Sequence, residues 1–164
     1  MNHLFMHKNQ ELIQNFYKAF SERKADKMGE AYHSEATFND PAFVNLKGRE
    51  CYGMWAMLIE GMDPNGTIEC KTCSADDSKG SADWEAVYKF SKTGRLVHNK
   101  IHAEFQFKDG KIIVHKDSFP FWKWSRMAMG MTGLFLGWTP MFQKKVQSEV
   151  AKTLAMYMKR RKIK

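Results

Sequence analysis

The hydrophobic pattern of this chain changes period once, and that change sets its fold class. Before the turn Asp63-Pro64-Asn65-Gly66 the apolar residues recur at helical spacing; after it, as far as Phe121, they alternate every second residue. Helices first and an antiparallel sheet second is an α+β order, not the alternating order of α/β proteins. The 164 residues suit one such unit. A hydrophobic fraction of 43%, with 13% aromatic, is ample for a packed core.

Leu12, Ile13, Phe16, Tyr17 and Phe20 predict a helix over 9–23. A second short helix is expected over 27–33, capped by Asp26, with Met28, Ala31 and Tyr32 inward. Residues 36–43 read as an extended segment broken at Asp40-Pro41, because the residue before proline is held out of the helical region. Cys51, Trp55, Leu58 and Ile59 predict a third helix over 49–61. Strands follow at 67–75, 82–90, 96–107 and 112–121, the last three a meander with short connections.

In the third of these strands Val97, Asn99, Ile101, Ala103, Phe105 and Phe107 share one face, which their apolar character turns to the core. Trp84, Ala86, Tyr88 and Phe90 join that face if the loop 91–94 has an even length. Lys108-Asp109-Gly110 reads as a three-residue hairpin loop with glycine in the left-handed position. Phe105 then faces Ile113, Ala103 faces His115, and Ile101 faces Asp117. Paired residues share a face, so His115, Asp117, Phe119 and Phe121 point inward.

Three features in order resemble the nuclear-transport-factor-2-like superfamily, with its SnoaL-like and ketosteroid-isomerase-like branches. They are a first helix containing FYKAF, the segment AYHSEATFNDP, and a meander ending KDGKIIVHKDSF. The resemblance implies a cystatin-like cone over 9–121, a curved antiparallel sheet wrapped around the N-terminal helices, usually in a homodimer. It places Asp40 at the position of the isomerase branch's general base. That branch's two oxyanion donors fall on Phe16 and Ala103, which carry no donor, and Tyr17 stands about 100° from Phe16 around the helix. Limonene epoxide hydrolases need two aspartates around an arginine. Asp117 offers one carboxylate, but Arg95 sits at a strand end.

The candidate catalytic residues are Asp40, His115 and Asp117, acting as acid and base on an apolar, oxygenated small molecule. Candidate ligand-binding residues are Phe16, Tyr17, Tyr32, Trp55, Trp84, Tyr88, Asn99, Ile101, Ala103, Phe105 and Phe119. Under the plainer reading Asp40 caps a turn and His115 bonds Asp117 within a satisfied core. Isomerase, cyclase and hydrolase chemistry stay open, as does a non-catalytic ligand-binding or dimeric scaffold.

No cofactor or metal is expected. Cys70-Lys71-Thr72-Cys73 is a lone pair without a second, and a regular strand would send its sulfurs to opposite faces. His98 and His102 share the outward face. Three scattered cysteines and an N-terminus without a signal-peptide pattern lead us to expect a cytoplasmic protein.

Residues 122–164 form a helical, basic extension, expected to pack on the domain or swap across a dimer. Residues 127–142 carry no charge, and Val146, Val150, Leu154 and Met158 make a helical stripe. Residues 143–164 hold Lys144, Lys145, Lys152, Lys159, Arg160, Arg161, Lys162 and Lys164 against Glu149, which accounts for most of the net charge of +8. Charge so confined argues against a nucleic-acid face. It leaves peripheral membrane contact through 127–164 as an alternative to packing.

Overall fold

The computed structural model describes residues 6–164. Helices α1 (Lys8–Ser21) and α2 (Ala25–Glu30) lead into β1 (Tyr32–Asn39), β2 (Leu46–Lys47) and α3 (Arg49–Glu60). Strands β3 (Thr67–Ala75), β4 (Lys79–Lys89), β5 (Leu96–Lys108) and β6 (Lys111–Ser118) follow. Three helices close the chain: α4 (Phe121–Met129), α5 (Met131–Leu136) and α6 (Pro140–Arg161).

The strands form one curved sheet in the order β2-β1-β6-β5-β4-β3. Among the described residues only β1 and β6 run parallel. Helices α1 and α3 fill the concave side through Ile13, Phe16, Phe20, Met54 and Trp55, all buried. The architecture is α+β, as the change of period implies, and has the cone form that the family resemblance implies.

Strand β5 alternates buried and exposed residues along nearly its whole length, with Val97, Asn99, Ile101, Ala103 and Phe105 inward. Trp84 pairs with Ile101 and Tyr88 with Val97, and Phe90 bonds Arg95 across the four-residue loop, so the even loop keeps both strands in phase. The next hairpin departs from expectation twice. Its loop has two residues, Asp109 and Gly110, between paired Lys108 and Lys111. Both have positive φ (53° and 72°), as a type I′ turn requires. One extra residue, Ile113, is then bulged out of β6, because Phe107 pairs with Ile112 and Gln106 with Val114. Either change alone would turn His115 outward. Together they slide the pairing by two residues, to Phe105–His115 and Ala103–Asp117, and parity survives.

Other boundaries also move. Helix α2 stops at Glu30 and Tyr32 already belongs to β1, where β-branched and aromatic neighbours favour the strand. Asp26 does not cap α2; the N-cap is Lys24, and Asp26 accepts a hydrogen bond from the Tyr52 hydroxyl at 2.7 Å. Leu58 is exposed, because the buried stripe of α3 runs through Cys51, Met54 and Trp55. Strand β6 ends at Ser118; Pro120 breaks it and Phe121 opens α4.

The extension packs onto this frame. The α4–α5 turn is fastened to the β4–β5 loop, where Thr93 Oγ1 donates to Ala128 O at 2.5 Å and Arg95 Nε donates to Met127 O at 3.0 Å. Along α6, Val146 and Leu154 are buried, while Val150 and Met158 pack on the core, so the stripe faces the domain.

Candidate acid–base site

Parallel pairing of β1 with β6 sets Phe38 beside His115 and Asn39 beside Lys116, so Asp40 leaves β1 next to Asp117. This juxtaposition creates the site. His115 is fully buried and Asp117 is 4% exposed, so their polar atoms need partners. Trp55 Nε1 donates to the Tyr32 hydroxyl at 2.8 Å. An indole N–H can only donate, so the Tyr32 oxygen is the acceptor there and gives its own hydrogen to His115 Nδ1, 2.7 Å away. The Nε2–H of His115 then donates to Asp117 Oδ1 at 2.9 Å. One orientation satisfies every member, and it fixes the imidazole as the Nε2–H tautomer. Burial, foremost, holds the Tyr32 phenol well above its ordinary range, so it serves the chain as a neutral hydroxyl.

Asp40 Oδ1 accepts from the backbone N–H of Ala42 at 2.6 Å and of Phe43 at 2.5 Å, an Asx-type turn. Even so, its carboxyl is pushed up to about 7. Burial is the main cause; the Phe43 N–H opposes it, the charge of Asp117 adds to it, and the Ala42 N–H opposes it. Tyr88 is raised as well, by burial first, against the Trp124 indole N–H that it accepts at 3.0 Å, with the Asp40 charge adding. A cleft of about 240 Å³ opens here between Asn39, Asp40, Pro41, Lys116, Asp117, Ser118 and Phe119.

Asp40, Asp117 and Phe119 thus meet at one opening, with His115 behind Asp117. The other candidates lie deeper. Phe16 stands edge-on to Tyr17, Tyr32, Trp55 and His115 at 5.2–5.7 Å between ring centroids. Trp55 and Trp84 lie 6.4 Å apart and Phe105 is 4.4 Å from the His115 ring. Asn99, Ile101 and Ala103 are buried in the same row. These groups fill the cone by touching one another.

Two buried donors, Tyr17 O–H and Trp84 Nε1–H, have no protein partner among the described residues. Their rings are 5.5 Å apart. Tyr17 also borders a crevice of about 410 Å³ between α1 and β3, together with Cys70 and Cys73. A bulge at Lys71 puts both cysteines opposite inward residues, Cys70 against Trp84 and Cys73 against Ala82, so the sulfurs share a face after all. Burial, then Cys73, pushes the Cys70 thiol up to about 12, which keeps it protonated. The described residues hold no cluster of three or more His, Cys, Asp or Glu fit for a metal. His98 and His102 face outward and bond Glu85 at 2.6 Å and Asp83 at 2.7 Å.

The SnoaL-like domain family matches residues 13–115. The chain belongs to that family. No curated protein matches it in sequence. Among solved structures, this SnoaL-like chain is similar to a protein of ketosteroid-isomerase-like fold from Catenulispora acidiphila, in complex with trimethylamine. There the identity is 14%, the TM-score 0.65, and coverage 79% of this chain and 98% of that one. It is similar to an NTF2-like protein of unknown function from Burkholderia pseudomallei at 13% identity and TM-score 0.67, covering 76% and 100%. It is also similar to an epoxide hydrolase of M. tuberculosis at 14% identity and TM-score 0.61, covering 79% and 91%. At such identities the likeness establishes the fold alone.

In this SnoaL-like chain the site also draws on residues that strand parity did not single out. Trp124 reaches back from α4 to Tyr88, and the side-chain amides of Gln143 and Gln147 both donate to Pro41 O at 3.1 Å, bracing the Asp40 turn. The aromatic cluster Trp122-Lys123-Trp124 was the available signal for the first. The glutamines left none, because nothing local ties α6 to a loop a hundred residues earlier.

Proposed function

We propose that this SnoaL-like protein performs proton-transfer chemistry on a small apolar molecule bearing an oxygen function, with Asp40 as the group that exchanges the proton. One observation carries the reading: a carboxyl pushed up to about 7, beside a second carboxyl, at the mouth of a cleft that both border. A carboxyl with that affinity is populated in both forms at neutral pH, the best condition for giving and taking a proton in one cycle. Asp117 is held by His115, itself anchored through Tyr32 to Trp55, and its charge adds to the rise that burial causes in Asp40. Phe119 and Pro41 offer apolar contact at the opening.

The test is deuterium exchange of the α-hydrogens of 2-tetralone, an apolar ketone, in D2O at pH 7. Wild-type protein accelerates the exchange, and Asp40→Asn loses roughly 10²-fold or more of that acceleration. Equal rates for wild type, Asp40→Asn and buffer would defeat the reading. The filled interior supports a second reading, a non-catalytic binder using the same cleft. In that case 2-tetralone quenches tryptophan fluorescence saturably while exchange stays at the buffer rate.

A further inference from the structure

We infer that the α4–α5 hairpin and the start of α6 form an apolar tip that inserts into the interface of an anionic lipid surface. The exposed side chains are Met131, Phe135, Leu136, Trp138 and Met141, with relative exposures from 48% to 80%. Scattered exposed hydrophobes are ordinary, but five within eleven residues make a patch that needs a partner.

Four successive carbonyls of the tip already have protein donors. Helix α5 ends here, and a helix end normally leaves carbonyls that require water. Gly133 O accepts from the Gly137 N–H at 2.9 Å, Leu134 O from Trp122 Nε1 at 3.1 Å, Phe135 O from Trp138 Nε1 at 3.0 Å, and Leu136 O from the Thr139 hydroxyl at 2.6 Å. Both exposed indoles therefore commit their N–H to a carbonyl of the hairpin. Pairing these four carbonyls within the protein lowers the cost of withdrawing the tip from water.

The tip is also rigid. A Cβ on Gly133 would lie 1.9 Å from Ser125 O, and one on Gly137 would lie 1.9 Å from Ser125 Oγ, so the hairpin closes through backbone contact that only glycine permits. Loop ordering is thus settled before any partner arrives.

Charge selects the occupant. Lys123 and Arg126 on α4, and Lys144 and Lys145 on α6, are exposed around the tip, and no acid occurs from Ser118 to Ser148. A second copy related by a twofold axis would press this cationic collar against itself. Lysine is depleted in protein–protein interfaces, whereas apolar and aromatic side chains ringed by lysine and arginine suit an anionic bilayer surface. No helix among the described residues is long and apolar enough to cross a membrane, so the contact is interfacial.

The experiment is co-sedimentation of the full chain with phosphatidylcholine vesicles, with and without about a quarter of phosphatidylserine. The serine-containing vesicles take the protein down, and binding to phosphatidylcholine alone is roughly tenfold weaker. Lys144→Glu with Lys145→Glu weakens binding by about tenfold or more. Trp138→Asp and Phe135→Asp abolish it; Phe135→Asp leaves the thermal melt unchanged, and Trp138→Asp, which gives up one exposed hydrogen bond, lowers it by no more than a few degrees. The inference is overturned if the wild type stays in the supernatant at low salt, or if Trp138→Asp pellets like wild type. It is equally overturned if sedimentation velocity shows a dimer that Trp138→Asp dissociates while vesicles bind neither protein.

Discussion

Replacing Asp40 by asparagine should change the stability of this protein by an amount that depends on pH in one direction only. An aspartate in the unfolded chain ionises near 3.8, and Asp40 in the native structure ionises near 7. Between these values the native state binds a proton that the unfolded state has released, so stability falls as pH rises. Below about pH 4 both states are protonated and the side chain costs nothing; above about pH 7 both are ionised and the full cost applies. A rise of about three units corresponds to ~4 kcal/mol, and the solvent-open side of the cleft lowers this to about 2–4 kcal/mol. Asparagine keeps an oxygen for the N–H groups of Ala42 and Phe43, so the turn survives at a constant offset of about 1 kcal/mol. Carboxylates remote from Asp40 titrate in both proteins and cancel in the difference. Urea unfolding followed by tryptophan fluorescence from pH 4 to 8 measures this. The advantage of Asp40→Asn over wild type should climb by about 2–4 kcal/mol across that range, and the melting temperature by about 2–4 °C for each kcal/mol. A difference that stays flat with pH means Asp40 titrates as an ordinary surface aspartate, and the acid–base proposal loses its main support.

Tyr32→Phe removes the one hydroxyl joining Trp55 to His115 and orphans a buried donor and a buried acceptor. It should cost about 2–4 kcal/mol in urea unfolding, and a loss under 1 kcal/mol would contradict the network drawn here. Gly133→Ala should destabilise by about 2 kcal/mol or more, because its Cβ meets the Ser125 carbonyl. Gly94→Ala, at φ 70° with open space around it, should cost only about 1 kcal/mol, so the two melting curves separate backbone contact from backbone conformation. Cys70, held up to about 12, should react with Ellman's reagent at pH 8 far more slowly than a free thiol, and a rapid burst assigned to Cys70 by mass spectrometry would show the β3 bulge to be misread.

Much of the cone was legible because a period is written by covalent geometry: side chains alternate in a strand and recur after three or four residues in a helix. From that alone came the helix around Phe16 and the inward row from Val97 to Phe105, whereas His115 and Asp117 turn to the interior, as the hairpin reading expected, because two departures from that reading cancel. Register was not legible, since the bulges at Ile113 and Lys71 depend on what lies across the sheet. The first left parity intact by cancelling a shorter turn; the second reversed it and brought Cys70 and Cys73 together. Nor could the sequence decide whether the aromatic residues would line a hollow or fill one. That outcome depends on how large rings from α1, α3, β4 and β5 meet, a matter of shape between segments far apart in the chain. The proximity of Asp40 to Asp117 has the same origin. Each residue announces a carboxylate, but only the parallel pairing of β1 with β6 sets them side by side, where burial and mutual repulsion alter how tightly one of them holds its proton.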